Sequence, residues 1–367
     1  MMRALVCLAI ALLSTTSTAA FAPDRDTGPA LRAITSMPGA RAAHSATRLG
    51  DGRVLVAGGC RSDGCEEGLS TDALLFDPAT GTFTTTGAPK LPRAGHRAVP
   101  LKDGSVLLIG GWTQDGVTAS IERYRPDRGV FEPFGSLRTA RDGFSATVLA
   151  DGTILIAGGY GEGMRRLASA ERFDPRTKAS RSVGAMATPR MSHTATRLAD
   201  GRVLVAGGSD ARGTVTASLE LFDPAKGRFS PAGTLKKARH KHAAIRLGPD
   251  VLLLGGAAIP ETDGHFSDSE RWKASSGTVS PGPEMREGRY KFLDSVAPLA
   301  DGRTLVAGSG ARAEVLSADG SRFDPVNGRI GRKLAFATAT ALADGRVLVL
   351  GGYDPTIRID RGAWVFE

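Results

Sequence analysis

The stretch DGRVLVAGG, Asp51–Gly59, returns letter for letter at Asp200–Gly208. Its Gly-Gly is a ruler for the chain. Aligning the first glycine of each pair gives Gly58, Gly110, Gly158, Gly207, Gly255, Gly308 and Gly351, in steps of 52, 48, 49, 48, 53 and 43 residues. In the sixth copy Ser309 replaces the second glycine. Seven copies near one period are the signature of a repeat architecture.

The fourth copy shows the parts. RMSHTATRL (Arg190–Leu198) reads as a strand, and an Asp-Gly turn ends it. RVLVAGG is a second strand, TASLELFDP a third and RFSPAG a fourth. Asp-Gly between apolar runs predicts a tight hairpin with positive φ at both central residues. Gly52, Gly104, Gly152, Gly201, Gly302 and Gly345 each follow an Asp, and the fifth copy has GPD instead. The unbroken apolar VLVA runs predict a strand covered on both faces.

Four antiparallel strands repeated in series form a β-propeller. Each copy also carries an aromatic after the third-strand run: Phe76, Tyr124, Phe173, Phe222, Trp272, Phe323 and Phe366. Seven residues beyond the first six stand Phe83, Phe131, Ser180, Phe229, Val279 and Ile330. Gly-Gly followed by two spaced aromatics resembles the kelch repeat of the galactose oxidase/kelch-like superfamily, with Phe mostly where that family has Tyr and Trp. The expected fold is all-β: a seven-bladed kelch-type β-propeller with four antiparallel strands per blade. Blades are expected at 39–87, 91–136, 138–184, 187–233, 236–282, 286–331 and 333–367 plus 29–36. The seventh copy stops at its third strand, AWVFE, so Ala30–Ile34 is expected to supply the missing strand and close the ring.

Residues 1–22 stand apart. Arg3, the apolar ALVCLAIALL and the Ala20–Ala22 A-x-A site read as a cleavable signal peptide, leaving one domain over 23–367. A secreted or periplasmic location follows as an expectation. No run of 18 apolar residues predicts a transmembrane segment. Cys60 and Cys65, in CRSDGC, are expected to pair in an oxidising compartment. Removing Arg3 from a net +9 leaves +8, scattered along the chain without a nucleic-acid motif, so no nucleic-acid partner is expected. A monomer is expected.

Topology sorts residues by face. The Asp-Gly turns share the bottom, while the loops after Gly-Gly and the blade-to-blade connectors share the top, where function concentrates. Candidate ligand residues on the top loops are Tyr160, Arg165, Arg166, Glu261, Asp263 and His265. A basic residue opens each first strand: Arg41, Arg93, Arg141, Arg190, Arg239, Arg289 and Lys333. A cationic rim of this kind favours an anionic ligand, and the resemblance points the same way, since some kelch domains bind acidic peptides through rim arginines. Arginine has five donors, so these residues can equally tie strand starts to carbonyls.

The resembled family includes copper-radical oxidases, whose chemistry needs a Cys–Tyr cross-link, a second Tyr and two His ligands. Tyr124, Tyr160, Tyr290 and Tyr353 lie beside no histidine, so that activity is rejected and neither cofactor nor metal is expected. His240 and His242 lack an evident third ligand. The expected role is a binding module for an anionic glycan or an acidic protein surface. The alternative is a sugar epimerase or mutarotase, with Glu284 and Glu287 as weak acid/base candidates.

Overall fold

The computed structural model describes residues 28–62, 68–259 and 264–367. Its strands form seven four-stranded antiparallel sheets arranged as the blades of a propeller. Blade four runs Thr194–Arg197, Val203–Ala206, Ser218–Asp223 and Arg228–Thr234. The second strands are buried along their whole length, as at Val54–Ala57 and Val203–Ala206. The core lies between blades rather than within them. Val54, Val56, Leu74 and Phe76 of blade one, for example, pack on Leu348, Leu350 and Val365 of blade seven.

The Asp-Gly turn differs in detail from the expected two-residue form. Leu49 N–H bonds Arg53 O, and Gly52 N–H bonds Leu49 O. Only the glycine is left-handed, with φ 90° at Gly52 and 89° at Gly201. This is the three-residue loop, a type I turn followed by one left-handed residue. The aspartate instead accepts the Arg53 N–H at 3.0 Å, which fixes the turn from its side chain.

The Gly-Gly pair is the joint between blades. Both glycines have positive φ (64° and 93° at Gly58 and Gly59). The N–H of the second position donates to a carbonyl at the start of the next blade: Gly59 to Arg93, Gly208 to Arg239, and likewise around the ring. The same bond closes the circle, from Gly352 N–H to Arg41 O at 3.0 Å. A side chain on the first glycine would meet the backbone or ring of the next blade, as at Gly58 against Arg93 O and His96.

Closure by the N-terminal strand is as expected. Leu31–Ala33 pairs antiparallel with Ala363–Phe366, Leu31 opposite Phe366 and Ala33 opposite Trp364. Blade seven thereby gains its fourth strand.

Blade six departs from the sequence alignment. Its third strand is Glu314–Leu316, and Leu316 occupies the first aromatic position. Phe323 lies on the fourth strand, opposite Leu316, as Phe83 lies opposite Phe76. The shift reflects a shorter third strand, turned at Ser317, whose hydroxyl bonds Asp319 at 2.6 Å.

Candidate functional site

The repeated arginines do not form an open rim. Arg41, Arg93, Arg141, Arg190, Arg239 and Arg289 are all fully buried. Five of them pair with a glutamate on the third strand of the same blade: Glu122, Glu171, Glu220, Glu270 and Glu314, at 2.7–2.9 Å. The other guanidinium nitrogen donates to the carbonyl of the first Gly-Gly glycine, as Arg190 to Gly207 at 2.8 Å. The glutamates also accept N–H groups from the blade-to-blade connector, such as Ala187 to Glu220 at 2.8 Å. Burial lowers the pKa of Arg93, Arg141 and Arg190, and the facing glutamate opposes that. Each pair therefore ties connector, strand end and third strand together. In blade one Leu74 stands at the glutamate position, and Arg41 turns to Asp72 at 3.1 Å.

Lys333 is a correction of register. The residue equivalent to the arginines is Leu334, whose carbonyl accepts the Ser309 N–H at 2.8 Å. Lys333 is exposed beside it. Blade seven replaces both charges at once, since Leu334 and Trp364 share one apolar cluster in the arginine and glutamate places.

The strand-start histidines pack between blades. His44 Nε2 meets Thr338 Oγ1 at 3.1 Å, His96 meets Ser45 at 2.9 Å, and His193 meets Ser145 at 2.9 Å, each reaching the preceding blade. Burial holds His44 and His96 at a pKa of about 3, so they are neutral.

The open site is the letter between arginine and histidine that varies. Ala43, Gly95, Gly143, Ser192, Lys241, Lys291 and Phe336 occupy one equivalent position in the seven blades, all with positive φ. All seven line a single pocket of about 720 Å³ at the top of the channel. Backbone bonds link most of them blade to blade, such as Lys291 N–H to Lys241 O at 2.9 Å. Nine non-glycine residues are left-handed among the described residues; with Met164 and Ile357, seven of these line this pocket. Such backbone costs of order 1–3 kcal/mol each and gathers at functional sites.

One wall carries Trp112 and Tyr160, ring centroids 6.3 Å apart. Tyr160 donates its hydroxyl to Asp142 Oδ2 at 2.7 Å. Burial pushes the Asp142 pKa up, against the pull of Tyr160, the Gly143 N–H, Arg97 and Lys241. A side chain at position 95 would strike the Asp142 carboxyl, which accounts for Gly95. The facing wall is cationic and aromatic. Lys291 Nζ donates to the Tyr353 hydroxyl at 2.8 Å and lies 5.4 Å from the Tyr290 ring, as does Lys241 Nζ. Met164, Ile357 and Ile359 complete the mouth.

The floor is an ion pair across the channel. Arg97 of blade two meets Asp294 of blade six, Nη1 lying 3.1 and 3.0 Å from the two carboxylate oxygens. Below it a second chamber of about 250 Å³ shares His44, His96, Arg97, Leu293 and Asp294 with the pocket above. Blade six has two more residues than blade two between Phe292 or His96 and the strand-ending Pro298 or Pro100, and this turn projects Asp294. The same insertion brings Ser295 Oγ to Ala337 O at 2.6 Å, beside Gly308, where most other blades pack the next blade's His or Phe.

Of the loop candidates, Tyr160 lines the pocket, while Arg165 and Arg166 do not. Arg166 bonds Met164 O at 3.1 Å. His265 stacks on Tyr290 at 4.9 Å. Glu261, Asp263 and Cys65 lie outside the described residues, and Cys60 is buried beside Ala42. Glu284 accepts Ser267 Oγ at 2.7 Å and Glu287 accepts Ala311 N–H at 3.2 Å; neither lines the pocket. Sequence reading passed over Trp112, Lys241, Lys291, Arg97 and Asp294. The residue after Gly-Gly and the variable letter after the arginine were the available signals for the first three.

Residues 143–187 match the Kelch motif family. That span runs from the strand start of blade three, through its Gly-Gly, to the connector into blade four. The chain is a kelch-repeat propeller. It is 40% identical over 74 residues to human Kelch domain-containing protein 9, a match spanning 20% of this chain and 21% of that protein. Its fold is similar to that of a solved fungal alcohol oxidase of the AA5 family in complex with copper, with a TM-score of 0.72, 16% identity, and 91% of this chain and 75% of that one covered. At that identity the likeness concerns the fold. One tyrosine does meet histidines: the Tyr290 hydroxyl lies 3.1 Å from His240 Nε2, and its ring stacks on His265. Among the described residues no three His, Cys, Asp or Glu converge, and Tyr160 and Tyr353 are bonded to Asp142 and Lys291.

Proposed function

We propose that this kelch-repeat propeller is an exported interaction module that binds an acidic segment of a partner protein at its top-face pocket. Kelch propellers serve generally as protein-binding modules. One observation carries the choice of face. Of the four exposed large hydrophobic residues among those described, Met164 (52%) and Ile357 (46%) rim the pocket and Ile259 (61%) lies on a loop of the same face. An apolar rim of this kind, around aromatic walls, suits a protein partner. Lys241 and Lys291 supply the preference for acidic groups. The buried arginines take no part.

A photo-crosslinking residue at Ile357, with the same residue at bottom-face Val148 as control, tests this in producing cells. Discrete protein adducts at position 357, reduced by Lys291→Ala and absent at 148, are expected. Equal adducts at both positions, or none at 357, would sink the reading. The lysines and rings also suit an anionic glycan. Salt-sensitive binding to heparin but not dextran, without protein adducts, would favour that second reading.

A further inference from the structure

We infer that Arg97 is a deep anion anchor of the pocket and that Asp294 is a built-in substitute for the carboxylate of an incoming acidic side chain. The inference rests on the partner reading above and adds the group that would recognise the acid.

Three features support it. The guanidinium is positioned independently of Asp294, because its Nε donates to Phe144 O at 2.9 Å. The ion pair is incomplete. Nη1 alone serves both Asp294 oxygens, whereas the strong arginine–carboxylate geometry uses two nitrogens in parallel. Nη2 makes no hydrogen bond among the described residues and is not among the buried, unpartnered atoms, so it keeps some accessible surface, on a residue that lines both chambers. The partners are also unequally held: the Arg97 side chain is 24% exposed and that of Asp294 57%. Asp294 sits on the two-residue insertion of blade six, a turn outside the strand ladder.

The pair does not resemble a joint of the fold. Neighbouring blades are already linked by the Gly-Gly bonds, and blades two and six face each other across the channel. It lies instead at the bottom of a pocket whose upper wall holds Lys241 and Lys291. A carboxylate descending past the lysines meets a guanidinium with an unused nitrogen. It can take the parallel two-nitrogen geometry while Asp294 swings into the shared chamber space. Asp294 thus offsets the charge of the cation when the pocket is empty, and lowers its affinity for any acid that arrives.

The probe is 3-phenylpropionate, with 3-phenylpropanamide as its neutral counterpart, titrated against the full chain by protein-observed NMR. The acid is expected to bind more tightly than the amide. Asp294→Asn, which removes the competing charge at an exposed site, is expected to strengthen acid binding roughly threefold to tenfold and leave the amide unchanged. Arg97→Gln is expected to bring the acid down to the amide, and Arg97→Lys, which keeps the charge without the fork, to fall between. Acid binding that is undetectable, equal to the amide, or unmoved by Asp294→Asn overturns the inference. So does an Arg97→Lys variant, folded by thermal melting, that binds the acid as wild type does. The titration needs no partner and the adducts at Ile357 need no floor, so each proposal fails on its own.

Discussion

Substituting Glu220 by Ala should destabilise the propeller by about 4 kcal/mol, out of proportion to one surface-sized side chain. Arg190 and Glu220 have side-chain exposures of 0% and 5%, so their charges meet little water. Removing the carboxylate strands a buried guanidinium, which costs roughly 3–5 kcal/mol. It also removes the acceptor of the Ala187 and Thr188 N–H groups, held at 2.8 and 3.3 Å, each worth about 1 kcal/mol if left unsatisfied. These terms overlap, and water entering the connector lowers the total. Arg190→Leu should cost a similar amount by stranding Glu220. The double change Arg190→Leu, Glu220→Leu should cost less than the sum by about 2–3 kcal/mol, because no lone charge remains. Blade seven already uses the uncharged solution, Leu334 with Trp364. Some cost should persist, since Gly207 O and Ser218 O lose the Arg190 donor. Urea unfolding followed by tryptophan fluorescence supplies the cycle. A Glu220→Ala cost below 1 kcal/mol, or strict additivity in the double variant, would refute the argument.

Two further outcomes follow from other sites. Burial raises the Asp142 pKa, so the folded state favours the neutral acid. The stability this gives is complete below the unfolded value near 4 and is lost as pH rises through the folded one. Asp142→Asn should therefore gain in melting temperature relative to wild type between pH 4 and pH 8, and a constant difference would contradict it. On the export proposed above, the mature protein should begin at Pro23, and Cys60 and Cys65 should alkylate only after reduction. An intact leader by mass spectrometry, or two reactive thiols, would overturn the export reading.

The propeller was legible because nearly all of its joints and turns use glycine. Gly58, Gly59 and Gly52 adopt left-handed backbone and, at Gly58, face a neighbouring blade, so the chain repeats them and the period shows. The role of the arginines was half legible. Five glutamates recur on the third strands, 29, 30, 30, 31 and 25 residues after their arginines, and that second, looser periodicity marks a buried partner. Registers in blades six and seven were misread because Leu334, Leu316 and Trp364 replace the marker residues with apolar ones, which carry no periodic signal. The pocket was least legible. Lys291 and Tyr353, or Arg97 and Asp294, lie far apart in the chain and meet only through ring geometry. Positions that vary among repeats also look like ordinary loops until the backbone shows them to be equivalent.

The joining of Leu31–Ala33 to Ala363–Phe366 has a consequence for biogenesis. Every other strand pairs within a few dozen residues, so blades can assemble in order as the chain emerges. The closing ladder must wait until both of its strands are available. Until then the chain is an open horseshoe with an unpaired Ala363–Phe366 or Leu31–Ala33 edge, the kind of surface that recruits foreign strands. Sequence distance at this one seam therefore sets the interval during which a chaperone is most useful. Two chains trapped in that interval have an obvious error open to them, each lending its first strand to the other's last blade.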